Sequence, residues 1–302
     1  MHHDHDLTDH DHDRGLAHDL ATMATRMERR RALQWFAGAG TLALVAGCGG
    51  ESAGTATASA AAATATPTPT PTPTPTATAT PASGCVADPA ETAGPYPADG
   101  TNSSAGSTSN VLAASGVVRS DIRSSFLTTT TVATGVVVTL TLTLVDVNAT
   151  CAPLAGFAIY LWHCDRSGNY SLYGAGASES YLRGVQVTDA NGQATFTTIF
   201  PACYDGRWPH MHFEVFSSLS AATGGRYAVL TSQLAMPSAI CSAVFADTTT
   251  YPGSTGRFAR VSLSGDGIFG DNSSAQVAQQ TPTFTGSATA GYTASAIIGI
   301  AR

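Results

Sequence analysis

Two histidines separated by a single residue are the first candidates for chemistry in this sequence. They are His210 and His212, in the run WPHMHFEVF at positions 208–216. Residues i and i+2 of a β-strand share one face, so we expect both imidazoles to point the same way. That placement suits one metal ion, although two ligands are too few for a complete site. Zinc would need a third His, Cys or carboxylate, for which Glu214 and Asp205 are the near candidates.

Two tyrosines are better partners for the histidine pair. Tyr170 follows a loop of polar turn residues, and Tyr204 lies six residues before His210. A phenol, with a pKa of about 10, gives up its proton only to a hard and strongly Lewis-acidic ion such as Fe(III). Two phenolates and one hydroxide also cancel the three charges of Fe(III), so such a site can be buried without a large solvation penalty. Taken singly, each tyrosine is more typical of a core residue with a satisfied hydroxyl.

The elements that would hold these residues are strands. Apolar residues alternate with threonines over 138–144, and further β-branched or aromatic runs lie at 157–162, 185–188, 194–199, 227–234 and 292–300. Asn191-Gly192 is a short-range hairpin signal between the runs at 185–188 and 194–199. No stretch after residue 85 shows a convincing 3.6-residue period. The pattern predicts one all-β domain over 85–302, an antiparallel β-sandwich with long loops.

Several segments together resemble the intradiol ring-cleavage dioxygenases, in particular their exported bacterial members. The resemblance rests on PLAGFAIYLWHCDRSGNYS (153–171) and YLRGVQVTDANGQATFTTIFPACYDGRWPHMHFEVF (181–216). It extends to ETAGPY (91–96), VRSDI (118–122) and TSQL (231–234). Within ETAGPYP the chain departs from the commoner EGPYY form, since Ala93 replaces the acid and Pro97 the second tyrosine.

The resemblance implies one mononuclear non-haem Fe(III) per chain and a role for each site residue. Tyr170 would be the ligand that stays bound, Tyr204 the ligand that leaves when substrate arrives, and His210 and His212 the two histidine ligands. Arg207 matches the arginine that steadies negative charge on the activated substrate. Gln233 matches a glutamine beside that arginine.

The implied activity is cleavage of a catechol-type ring between its two hydroxylated carbons. Both atoms of O₂ are inserted, and the product is a muconate-type diacid. The residues leave a second class open: a surface-displayed β-sandwich module that binds phenolics or metal without turnover.

Two nearby residues have structural interpretations. We expect His163 to be a hydrogen-bonded structural residue, whereas loop bracing and substrate contact explain Arg183 equally well.

The first 84 residues are biased in composition and precede the domain. They divide into a His/Asp-rich leader (1–22), a twin-arginine-like lipoprotein signal peptide (23–47), and Cys48 with an Ala/Thr/Pro-rich stalk (48–84). Cys48 ends a lipobox-like run, so we expect an exported lipoprotein anchored in the membrane through lipid at that residue only. The alternating Pro/Thr stretch has too little apolar bulk to fold and predicts a disordered linker.

Charge and cysteine usage complete the expectations. The formal charge is −7, and all 14 basic residues are arginines, so the basic stripe needed for nucleic-acid binding is lacking. Five cysteines follow Cys48, at 85, 151, 164, 203 and 241. In an exported protein this number predicts two disulfides and one free thiol, with the pairing open. Oligomeric state is not indicated by any pattern.

Overall fold

The computed structural model describes residues 85–302. The predicted leader, signal peptide, lipidated Cys48 and stalk all lie outside the described residues. Within the described part no helix is both long and apolar enough to cross a membrane.

Nine strands form two sheets in the described part of the chain. In chain order they are β1 (Val137–Asp146), β2 (Ala152–Pro153), β3 (Ala158–Trp162), β4 (Arg183–Val187), β5 (Gln193–Ile199), β6 (His210–Phe216), β7 (Leu230–Ala235), β8 (Thr283–Ser287) and β9 (Gly291–Ile300). The first sheet has the order β2-β1-β9-β8, with β5 also paired to β1, and the second has the order β4-β3-β6-β7. The sandwich-like arrangement of two sheets is therefore as predicted.

The two sheets are buried in different ways. On β1 the predicted alternation holds, since Val138, Leu140, Leu142 and Leu144 are at most 1% exposed and the intervening threonines are half-buried. On β3 and β6 every residue is buried. One face of these central strands packs into the sandwich core and the other is covered by loops. That covered outer face of the second sheet carries His210 and His212.

Two features of the topology differ from the antiparallel expectation. β1 and β9 are parallel, and the chain between them passes through β2 to β8 instead of a hairpin. The turn at Asn191-Gly192 is present, but it joins β4 of one sheet to β5 of the other and does not form a hairpin. A turn motif therefore predicts where the chain reverses direction, but not which strands pair.

The domain is mostly β, but the segment between β7 and β8 is helical, which the sequence pattern did not indicate. This segment contains α1 (Ser238–Phe245), α2 (Ser254–Phe258) and α3 (Ser274–Gln279). Each helix is too short for a periodicity window, yet α3 begins with a capping box in which Ser273 and Gln276 bond reciprocally. That Ser-x-x-Gln spacing was the available sequence signal.

The disulfide prediction was also wrong in number. Cys85 and Cys151 form a disulfide, whereas Cys164, Cys203 and Cys241 are buried free thiols. Buried free cysteines pack as small apolar residues and need no partner.

The chain enters the domain at the end of the sandwich remote from the histidines. Cys85 is bonded to Cys151, which precedes β2, and β2 pairs with the last residues of β1. The first residues of β1 instead pair with the last residues of β5, which lead toward Tyr204. Chain entry and candidate site thus lie at opposite ends of the strands.

Candidate metal centre

His210 and His212 are the first and third residues of β6, a central strand of the second sheet. Both side chains are 2% exposed, and their Nε2 atoms are 3.1 Å apart. The ring of His212 stacks on Trp162 of the neighbouring β3 with centroids 5.0 Å apart and planes 8° from parallel. Period-2 geometry and this stacking fix both imidazoles on one face.

Tyr170 reaches the pair from the loop that follows β3. Asp165 organises that loop by accepting the backbone N–H groups of Ser167 at 2.8 Å and Asn169 at 2.9 Å. Such Asx turns are the usual reason for Asp and Asn at loop starts. The Tyr170 side chain is buried, and its Oη lies 3.2 Å from His212 Nε2.

Tyr204 approaches from the loop after β5. The Ala202 N–H donates to the Asp165 carbonyl at 3.3 Å, which ties this loop to the loop of Tyr170. Tyr204 is only half-buried, and its Oη lies 3.0 Å from His210 Nε2. The structure thus brings together the four side chains that the resemblance implies as ligands, while their ligand role stays a prediction.

The donor atoms fit a single ion. Nitrogen and oxygen atoms bound to one ion at about 2.0–2.1 Å lie roughly 3 Å apart, and the three measured separations are 3.0, 3.1 and 3.2 Å. His210 Nδ1 donates to the Trp208 carbonyl at 2.5 Å, which leaves a lone pair on Nε2. No group of three or more His, Cys, Asp or Glu side chains suited to a metal occurs within residues 85–302, because half of this cluster is tyrosine.

Burial keeps all four groups neutral in the absence of a cation. Burial lowers the pKa of His210 and of His212 well below the usual value, and the charge of Arg207 adds to this effect. Burial likewise raises the pKa of Tyr170 well above 10 and also raises that of Tyr204. Neutral imidazoles are the form that binds metal, and the phenols need a strong Lewis acid to ionise.

Arg207 and Gln233 lie together beside the cluster, while the roles that the resemblance implies for them stay predictions. Arg207 Nη2 donates to Gln233 Oε1 at 2.8 Å, and Gln233 Nε2 donates to the Thr92 carbonyl at 2.9 Å. The sequence analysis missed Asp266, whose Oδ2 accepts from Arg207 Nε at 2.9 Å. A carboxylate 59 residues from its partner in the chain leaves no spacing signal. The only hint was that a buried arginine needs a counter-charge.

The segment 91–97 covers His212 and forms one wall of the site. A Cβ at Gly94 would lie 3.2 Å from His212 Cε1, and φ there is +72°, so both space and conformation favour glycine. Tyr96 packs on Tyr170 with ring centroids 4.9 Å apart.

Arg183 braces this wall. Its guanidinium donates to the carbonyls of Tyr96, Pro97 and Ser171 and to the hydroxyls of Ser171 and Tyr160, over 2.7–2.9 Å. These bonds use all five N–H groups of the side chain. Of the two interpretations left open for Arg183, the structure supports loop bracing.

The remaining candidates near the cluster do not join it. His163 is buried and bonded to Thr198 Oγ1 at 2.6 Å and to the Cys164 carbonyl at 2.8 Å, which confirms its structural interpretation. Asp205 is exposed and pairs with Arg260. Glu214 is buried and has its pKa raised by burial and by Asp99. Neither carboxylate completes a zinc site with the two histidines.

Known proteins are similar to this chain in sequence and in fold. Residues 120–238 match the family model described as Dioxygenase. An intradiol ring-cleavage dioxygenase from Tetranychus urticae shares the fold at 23% identity and a TM-score of 0.51, over 72% of this chain and 95% of that one. A second dioxygenase crystal structure has 21% identity, the same TM-score of 0.51 and the same coverage. The family match and the shared fold confirm the resemblance to the intradiol ring-cleavage dioxygenases that the motifs indicate.

Proposed function

We propose that this chain is a non-haem Fe(III) intradiol dioxygenase that cleaves a catechol-type ring with O₂. The observation that carries the proposal is the meeting of two phenol oxygens and two imidazole nitrogens within 3.0–3.2 Å of their neighbours. Tyr170, Tyr204, His210 and His212 would hold the iron. When bound, ferric iron would supply a Lewis-acidic centre that binds both catechol oxygens and makes the ring electron-rich enough to react with O₂.

The burial of the two tyrosines supports different roles for them. Tyr170 is 4% exposed and packed under Tyr96, so it has no room to move. Tyr204 is half-buried on a loop at the edge of the site. Tyr204 would therefore be the ligand that gives way, and its Oη would take one of the two catechol protons, with the hydroxide of the charge balance taking the other. The positive charge of Arg207 lies beside the phenols and stabilises negative charge that develops on the substrate.

The charges of the site favour a catechol that carries no carboxylate. Arg183 has used all five N–H groups on protein oxygens, and Arg207 is already paired with buried Asp266. A carboxylate brought into this site would meet Arg207 with its charge already balanced by Asp266, so its burial would cost several kcal/mol. A burial penalty of at least about 2.7 kcal/mol corresponds to two powers of ten. We therefore expect kcat/KM for catechol to be at least about 100-fold above that for 3,4-dihydroxybenzoate.

The test uses the purified domain loaded with Fe(III). Phenolate-to-iron charge transfer should colour the protein red-brown, and catechol should drive O₂ uptake with a muconate-type product. A protein that takes up iron and colours but never consumes O₂ with any diphenol would instead be the binding module. A protein that stays colourless and inert after ferric reconstitution would overturn the metal centre itself.

We also propose that the protein is exported and anchored through lipid on Cys48. The support is the lipobox-like run before that residue, together with the entry of the chain at the end of the sandwich remote from the site. Cys48→Ala should move the protein from the membrane fraction to the soluble fraction. An unchanged distribution would contradict the anchor.

A further inference from the structure

The carboxylate of Asp266 is fully engaged inside the protein. Its Oδ2 accepts from Arg207 Nε at 2.9 Å and from the Trp208 backbone N–H at 2.7 Å. Its Oδ1 accepts from the backbone N–H groups of Ile268 at 2.9 Å and Phe269 at 3.3 Å. Four donors, three of them rigid backbone groups, hold this carboxylate in one position.

Arg207 is buried as deeply as its partner. The two side chains are 4% and 0% exposed, so the ion pair is shielded from solvent. Asp266 holds Nε of the guanidinium and Gln233 holds Nη2, which fixes the plane of the group and the direction of Nη1. A planar guanidinium bound at two nitrogens has no rotational freedom left.

Asp266 also acts on the histidine strand. The Trp208 N–H bonds to Asp266, while the Trp208 carbonyl accepts from His210 Nδ1 at 2.5 Å. One carboxylate therefore supports both the cation beside the site and the backbone that orients a predicted ligand. A group that holds the hydrogen-bond partner of a metal-binding histidine in place sets the tautomer and direction of the imidazole.

The turn that supplies Asp266 lies beyond the family match. That match ends at residue 238, whereas Asp266 follows a 3₁₀ turn at Leu263–Gly265, after α1 and α2. Phe269 of the same turn packs with Trp208 and Ala235 in a small apolar cluster. The segment after β7 thus brings the carboxylate of Asp266 into contact with Arg207 and with the backbone of Trp208.

We infer that Asp266 is the positioning residue of the site: it fixes the orientation of Arg207 and, through Trp208, that of His210. The inference rests on the proposed function for its catalytic consequence, while the pairing itself does not. It assigns the C-terminal segment a part in the reaction, in addition to its packing on the second sheet.

The experiment is a double-mutant cycle between Asp266→Asn and Arg207→Gln. Asp189→Asn is the matched control, because Asp189 also accepts two backbone N–H groups in a turn but lies between β4 and β5 at the opposite end. Each variant is measured in two ways: the Tm of the iron-free protein, and kcat and KM with catechol after loading with Fe(III). The first readout needs no iron and no turnover.

We expect Asp266→Asn to lower kcat about 10- to 100-fold, the usual range when a hydrogen-bond partner that orients a site residue is lost, without a matching rise in KM. In the Arg207→Gln background the same change should have a smaller effect on kcat and Tm, because the Arg207 partner is already gone and only the bond to the Trp208 N–H remains to be weakened. Asp189→Asn should leave kcat and KM unchanged. If Asp266→Asn fails to fold while the double variant folds, the charge pairing is supported as well.

Equal effects of Asp266→Asn in both backgrounds would overturn the inference, since Asp266 would then act independently of Arg207. An unchanged kcat, or failure of both the single and the double variant to fold, would overturn it too. If the wild-type protein is inactive toward every catechol, the proposed function fails. The Tm cycle of the iron-free protein still decides whether Asp266 and Arg207 act as a pair.

Discussion

Gly94→Ala tests how closely the covering segment 91–97 constrains the metal centre. The new Cβ would lie 3.2 Å from His212 Cε1, a distance at which one of the two groups has to move by a few tenths of an ångström. The imidazole is stacked on Trp162, and the covering segment is held at the Thr92 carbonyl by Gln233. Neither side yields freely, so the strain is shared between the segment and the ring.

The expected magnitude separates into two parts. Alanine at φ +72° costs about 1–2 kcal/mol of stability because of its left-handed conformation. Displacement of the His212 ring should further weaken Fe(III) binding about 10- to 100-fold, as disturbed ligand orientation usually does. Gly156 offers a matched control, since its φ is +79° and a Cβ there would have nothing within 4 Å. Gly156→Ala carries the conformational part alone.

The assay is urea unfolding of both iron-free variants, followed by Fe(III) titration monitored by the charge-transfer band. Gly94→Ala should lose at least as much stability as Gly156→Ala, because the contact with His212 adds to the conformational part, and Gly94→Ala alone should lose iron affinity. Equal iron affinity in Gly94→Ala, Gly156→Ala and the wild type would refute the reasoning, because His212 would then not be confined by the covering segment.

Three further perturbations probe other parts of the domain. Tyr204→Phe should keep some iron with an altered visible spectrum, whereas His212→Ala should lose the metal; iron binding like wild type in both would refute the ligand set. Burial raises the pKa of Asp88 to about 6 from 3.8, so the folded state retains a proton that the unfolded chain releases. Stability should therefore fall by about 3 kcal/mol as pH rises from 4 to above 6, and Asp88→Asn should flatten this slope in urea titrations. Loss of the Cys85–Cys151 disulfide, which closes a 66-residue loop, should lower unfolding stability by about 4 kcal/mol and leave iron affinity unchanged, because the bond lies at the far end.

The parts of the site that the sequence predicted are those with a local signal. The i, i+2 spacing of His210 and His212 on an apolar strand fixes their common face without further information. The hard-ion argument for Tyr170 and Tyr204 needs only their chemistry, although their selection among nine tyrosines depended on the resemblance. Strands with clear alternation, such as β1, were found within a few residues of their bounds.

The parts that were missed depend on contacts between distant segments. Asp266 meets Arg207 across 59 residues, and β9 pairs in parallel with β1, from which β2 to β8 separate it in the chain. Neither contact has a periodic or spacing signature in the chain. Cysteine counting failed for a related reason, since the number of thiols does not state which of them approach each other.

The two buried arginines near the site differ in whether any of their N–H groups is left for a substrate. Arg183 has no carboxylate partner and gives all five N–H groups to neutral oxygens, so none remains for a substrate. Arg207 is neutralised by Asp266 and held at Nε and Nη2, and neither Asp266 nor Gln233 takes Nη1. A cation that has its counter-ion in place before substrate arrives needs no reorganisation when negative charge develops nearby. Arg207 is therefore the arginine arranged to act on a substrate, and Arg183 is the one arranged to hold the walls around it.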